Sequence, residues 1–174
     1  MVQIRERDLS ARDNFHIGKT LTDDTNGLGA KVLINDRADI AACIGGGVHL
    51  TTRSLSVDVV RRVFGPEMLV GVSTHNFEEV SMAEKGGADF VVFGPIFKTP
   101  SKTEYGPPVG IDALYQTTSS VSIPVLALGG ISPANYSSVL EAGAAGIAGI
   151  SMFTQAEDLA GLIAEVKRRR ETTA

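Results

Sequence analysis

Between Gly94 and Lys102 the chain reads Gly-Pro-Ile-Phe-Lys-Thr-Pro-Ser-Lys, which brings two hydroxyls, Thr99 and Ser101, close to the flexible ammonium of Lys102. That composition suits a loop closing over an anion, and Tyr105-Gly106-Pro107-Pro108 stiffens its return. A merely solvated loop is the alternative. At the start of the chain Gln3, Arg5 and Arg7 alternate with Ile4 and Glu6, so a strand here sets an amide and two guanidiniums on one face. The fixed donor fork of arginine matches phosphate oxygens, although an ordinary salt-bridged strand end uses the same residue types. Asn35 and Asp36 follow an apolar run. A carboxylate beside an amide can hold magnesium there and orient a phosphate through it, or the two can cap the helix beginning at Ala38. Ser73 ends another apolar run, where its hydroxyl can donate to a phosphate or form a turn. Gly129 and Gly130 lack the side chains that would keep a ligand from the backbone, leaving N–H groups for an anion; a tight connection needs glycine equally. His49 and His75 lack acidic or cysteine neighbours and read as packing or loop histidines.

The elements that must position these residues alternate strand and helix throughout. Apolar runs open near residues 2, 31, 47, 69, 90, 124 and 146, and amphipathic helical stretches lie between them with no hairpin signal. Ser10 with Asp13, and Asn76 with Glu79, mark helix starts; Ser132 and Pro133 predict another, running to Gly143, and the last helix is expected from Ala156 to Arg170. The first strand is expected over Val2 to Glu6. The pattern predicts a parallel α/β fold of the (β/α)8 TIM-barrel type with seven strands in this chain. Polar residues at successive strand ends then share the C-terminal face, where the loops after the last two strands commonly bind phosphate; Gly130, Ile150 and Ser151 stand at those loops. Closure by eight strands needs one more before Met1, from a longer protein or another chain, unless the barrel stays open. An exposed parallel edge at Val2 to Glu6 invites association, so a homo-oligomer is among the expectations.

At 174 residues, 43% hydrophobic and 21% charged, the chain suits one folded domain, residues 1–174, rather than a disordered segment. Its net charge of −4 argues against nucleic acid as a partner, so an anionic substrate needs basic residues gathered locally. Cys43 is the only cysteine, in an alanine-rich helical pattern; it reads as a small buried apolar residue and fits a reducing, cytoplasmic compartment. No run reaches the ~18 apolar residues of a membrane span.

Six motifs in order, Gln3-Ile4-Arg5-Glu6, Ile34-Asn35-Asp36-Arg37, Gly47-Val48-His49-Leu50, Val70-Gly71-Val72-Ser73, Gly94-Pro95-Ile96-Phe97 through Lys102, and Gly129-Gly130-Ile131, resemble the thiamine phosphate synthase and thiazole tautomerase family. The resemblance implies a (β/α) barrel whose first strand and helix precede the Gln-Ile-Arg motif, so this chain is expected to be short by one βα unit. It implies joining of a hydroxymethylpyrimidine diphosphate to a thiazole phosphate, with magnesium, giving thiamine phosphate and pyrophosphate. Carried over by position, Gln3, Arg5 and Arg7 meet the pyrimidine diphosphate, Asn35 and Ser73 help hold it, and Asp36 binds magnesium. Thr99 and Ser101 correspond to hydroxyls on the thiazole, Lys102 to the lysine on the pyrophosphate, and Gly130, Ile150 and Ser151 to the thiazole phosphate cradle. Arg5, Ser73 and Lys102 are the catalytic residues expected to stabilise the departing pyrophosphate. Three positions depart from the family pattern: Arg7 stands for a lysine, Ser54 for a second magnesium carboxylate, and Pro95 for the histidine of the tautomerase. A tautomerase-like or non-catalytic protein binding thiazole phosphate or thiamine phosphate is therefore the alternative reading.

Overall fold

The computed structural model describes residues 1–6, 8–99 and 107–173, in two compact units. The first comprises Met1–Ser73 with Lys85–Asp89, and the second Thr74–Glu84 with Phe90 onward.

In the first unit the apolar runs become strands β1 (Val2–Ile4), β2 (Val32–Asn35), β3 (Gly47–Leu50) and β4 (Val70–Thr74, its last residue in the second unit). They pair in parallel and in chain order, Ile4 opposite Ile34, Asn35 opposite His49 and His49 opposite Gly71. Helices α1 (Ala11–Asp24), α2 (Ala38–Ile44) and α3 (Val57–Phe64) connect them. Ile34, Val48, Val60 and Val70 are almost fully buried, as expected where helices cover a parallel sheet. Ser10 caps α1 as its spacing predicts: Oγ accepts from the Asp13 N–H at 3.1 Å and donates to the Asp13 carboxylate at 2.6 Å. Arg61, projecting from α3, ties the turns around β4 together. Its guanidinium donates to the carbonyls of Gly87 and Pro66, at 2.9 and 3.0 Å, and of Met68, and pairs with Asp89 at 2.7 Å. Asp89 in turn accepts from the Val70 N–H at 2.6 Å, so one ion pair holds both ends of the connection.

The second unit holds α4 (Phe77–Lys85, less its last residue), β5 (Phe90–Phe93), α5 (Gly110–Thr118), β6 (Val125–Leu128), α6 (Tyr136–Glu141), β7 (Gly146–Ala148), α7 (Ser151–Thr154) and α8 (Leu159–Thr173). β5, β6 and β7 are parallel, with Val91 opposite Val125 and Leu126 opposite Gly146. Tyr136, Leu140 and Met152 form a buried cluster against which Leu162 and Val166 of α8 pack. The Tyr136 hydroxyl crosses to Glu165 of α8 at 2.5 Å.

Four sequence expectations are corrected. β1 stops at Ile4, where its pairing with β2 ends at Ile34, so Arg5 and Glu6 lie beyond the strand. α6 begins at Tyr136 rather than Ser132. The Asn135 carboxamide accepts from the Ser132 N–H at 2.8 Å and donates to the Gly130 carbonyl at 3.0 Å, making a separate turn that competes with helix. α8 begins at Leu159, later than Ala156, because Asp158 caps it by accepting from the Gly161 N–H at 2.9 Å. Cys43 is exposed, on the outer side of α2.

Candidate functional site

Each strand of the first unit carries a polar residue at or next to its C-terminal end, namely Gln3, Asn35, His49 and Ser73, and neighbours in this row meet. The Gln3 carboxamide donates to Asn35 Oδ1 at 3.1 Å. Asn35 lies in register with His49, whose Nε2 is 2.8 Å from the Ser73 hydroxyl. His49 is 4% exposed, as its reading as a packing residue expects, and the polar contact of its ring with Ser73 is a feature that reading did not name. Its alternation with Val48 and Leu50, opposite Asn35, was the available signal. Ser73 lies inside β4 and forms no turn.

Asp36 follows directly, with φ +65°, a conformation few non-glycine residues adopt and Asp and Asn adopt best. Its N–H donates to the His49 carbonyl at 2.9 Å, and the next N–H, of Arg37, returns to the Asn35 carbonyl at 2.8 Å. The helix-cap alternative fails here, since Arg37 occupies the N-cap position of α2 without a side-chain capping bond. The Arg37 fork is committed to Asp39, Nε to Oδ1 at 2.8 Å and Nη2 to Oδ2 at 2.6 Å. The Arg37 hydrogen bond holds the Asp39 carboxyl below its usual range, and the same bond raises the Arg37 guanidinium. Among the described residues no cation pairs with Asp36, and none of the carboxylates pairs with the exposed Arg5. Ser54 serves a local turn, its Oγ accepting from the Thr51 N–H at 2.8 Å. His75 and Asn76 are both bound to Glu79 at the start of α4, as the capping spacing predicts.

In the second unit the segment after β5 lies along the glycine turn after β6. The Ile96 N–H donates to the Leu128 carbonyl at 2.8 Å and the Phe97 N–H to the Gly129 carbonyl at 3.0 Å. Gly129 and Gly130 have φ of +100° and +65°. A Cβ at Gly129 would stand 2.5 Å from Pro95 Cβ, and one at Gly130 would stand 2.7 Å from Phe97 Cβ and 2.8 Å from the Lys98 carbonyl. Both glycines are thus required by the tight connection. No described residue accepts from either of their N–H groups, so the same geometry leaves two donors for an anion. Asn135, which clamps Gly130, was not anticipated. Ile150 and Ser151 open α7 after β7; both are exposed, and the first N–H groups of that helix lack intrahelical partners. The loop base is tied at its return, where the Val109 N–H reaches the Pro95 carbonyl at 2.9 Å. Thr99 is half-buried on the outgoing side. Arg7, Ser101 and Lys102 lie outside the described residues.

Parallel strands joined by helices, with amide, carboxylate, imidazole and hydroxyl groups at their C-terminal ends, define an α/β protein of the TIM-barrel type with polar strand-end residues. The model of the thiamine monophosphate synthase family matches residues 1–153, and the chain belongs to that family. A relative from Geobacter sulfurreducens is 48% identical over 151 residues, 86% of this chain and 71% of its own. The thiamine-phosphate synthase of a Roseiflexus species is 40% identical over 159 residues, 91% of this chain and 67% of its own. Among solved structures, the thiamine phosphate pyrophosphorylase from Pyrococcus furiosus superposes with a TM-score of 0.87 at 33% identity, covering 98% of this chain and 82% of that one.

Proposed function

We propose that this chain is a thiamine-phosphate synthase, which transfers a pyrimidinylmethyl group from its diphosphate to the nitrogen of a thiazole phosphate. The observation that carries the reading is the strand-end row Gln3, Asn35, His49 and Ser73 beside an Asp36 carboxylate that caps nothing and pairs with no described cation. In the reaction the carbon–oxygen bond to the diphosphate breaks, its electron pair leaves with pyrophosphate, and the thiazole nitrogen supplies the pair for the new carbon–nitrogen bond. The chain's task is to stabilise a departing polyanion and hold two partners in line. Arg5 and Ser73 supply donors to the diphosphate, with Lys102 and Arg7 assigned the same role by position. Asn35 and Gln3, bonded to each other, present fixed amide groups. The N–H groups of Gly130 and of the start of α7 at Ile150 and Ser151 receive the thiazole phosphate, with Thr99 and Ser101 on the thiazole.

Magnesium fits the donor set, because a hard cation of this kind is commonly held by one or two carboxylates together with substrate phosphates, and Asp36 is such a carboxylate. When bound, it neutralises charge on the diphosphate. A tautomerase reading is not favoured: Pro95, buried where that enzyme has a histidine, carries no titratable group. The exposed Cys43 thiol fits a reducing, cytoplasmic compartment, and no helix among the described residues is long and apolar enough to cross a membrane. The test is formation of thiamine phosphate from the two phosphorylated precursors with magnesium. Product that disappears in Arg5→Ala and Lys102→Ala supports the assignment. Saturable thiazole phosphate binding with no turnover would instead support a non-catalytic binder.

A further inference from the structure

We propose that His49 is the positioning residue of Ser73: its Nε2–H donates to the Ser73 hydroxyl oxygen and leaves the hydroxyl proton free to bind an anionic phosphate. The inference rests on the diphosphate reading of Ser73. The ring is 4% exposed and its Nε2 is 2.8 Å from Oγ, a full-strength bond that selects one of the three staggered rotamers open to a serine. The bond can be written two ways. If Ser73 donates, its only proton is consumed and Oγ turns lone pairs toward the substrate, which a polyanion would meet with repulsion. If Nε2–H donates, Oγ is satisfied as an acceptor and its own proton points outward. Only the second arrangement suits a residue placed to hold diphosphate. The ring is buried within β3, and burying a polar ring carries a cost that an apolar side chain at the same position would not. His49 also receives the Asp36 N–H at its carbonyl, so one residue holds both the serine and the backbone of the carboxylate in place.

Calorimetric titration of inorganic pyrophosphate with magnesium into the whole chain tests this, using His49→Leu, Ser73→Ala, their double variant and His49→Gln. His49→Leu and Ser73→Ala should each weaken binding by about tenfold to a hundredfold, the range for a hydrogen bond to a charged group. The double variant should bind no worse than the weaker single one, because both substitutions remove the same interaction. His49→Gln, whose side-chain N–H reaches toward the same oxygen, should recover much of the loss, which a purely packing role for the ring would not produce. Additive losses, or a glutamine as damaging as leucine in a folded chain, overturn the proposal. Nitrogen NMR of the wild-type ring gives an answer that does not depend on any variant folding: a protonated Nε2 supports the assignment and a bare Nε2 overturns it. Failure of the wild type to bind pyrophosphate overturns the diphosphate reading and this inference with it, whereas binding by a chain with a bare Nε2 overturns this inference alone.

Discussion

At Asp36 the backbone and the carboxylate make separate demands. The φ of +65° costs an ordinary residue about 1–2 kcal/mol, while Asn tolerates it nearly as well as Asp. An alanine therefore removes the metal ligand and strains the strand end together. Asp36→Asn separates the two: we expect the unfolding midpoint to stay at the wild-type value while thiamine phosphate formation falls by at least about tenfold, the equivalent of ~1.4 kcal/mol of transition-state stabilisation. Activity at the wild-type level in Asp36→Asn would remove this carboxylate from the reaction. The residue types were legible here, since Asn35, Asp36 and Ser73 carry polar groups at the ends of apolar runs. The contact of His49 with Ser73 was not legible, because its partner lies 24 positions along the chain and only the pairing of β3 with β4 brings the two together.

Among the elements, the two glycines and α6 show where local reading stopped. Gly129-Gly130 announced a turn, but the segment pressed on it, Pro95 to Lys98, comes from the preceding βα unit and is a tertiary fact. We expect Gly130→Ala to cost at least about 1–2 kcal/mol from its left-handed backbone alone, with the approach to Phe97 and Lys98 adding to it. Denaturant unfolding measures this, and an unchanged midpoint would mean the loop base yields freely. α6 started late because Asn135 spends its side chain on the turn before it, a competition that Ser132-Pro133 conceals. Its packing against α8 carries a pH signature. The hydrogen bond to Glu165 is the main cause that raises the Tyr136 phenol above its usual value, with burial second. A raised pKa means the contribution is complete below the unfolded value of about 10 and is lost as pH climbs through the folded one. The stability difference between wild type and Tyr136→Phe should hold constant, at roughly 1–2 kcal/mol, up to about pH 10 and shrink above it. A difference that instead grew in alkali would contradict the assignment.

Over the whole molecule, strand and helix order was legible because parallel strands covered by helices are apolar runs at regular intervals, as Val32–Asn35 and Phe90–Phe93 show. Boundaries were less so, since the end of β1 and the start of α8 depend on what pairs with or caps them. The distribution of metal ligands is also a property of the whole. Among the described residues no group of three or more His, Cys, Asp or Glu side chains is placed to hold a metal ion, and Ser54 supplies a turn where the family pattern has a second acid. A single exposed carboxylate cannot strip magnesium of its water, a cation that dehydrates reluctantly, so the remaining anionic ligands have to come from the diphosphate. Metal and substrate should therefore bind as one unit. Titrating magnesium alone into the chain should give no saturable heat in the millimolar range, whereas pyrophosphate and magnesium together should bind, each raising the apparent affinity of the other by the same factor, as linkage requires. Loss of this mutual enhancement in Asp36→Asn would tie it to the carboxylate. Tight magnesium binding without any phosphate would show that the chain assembles a metal site of its own.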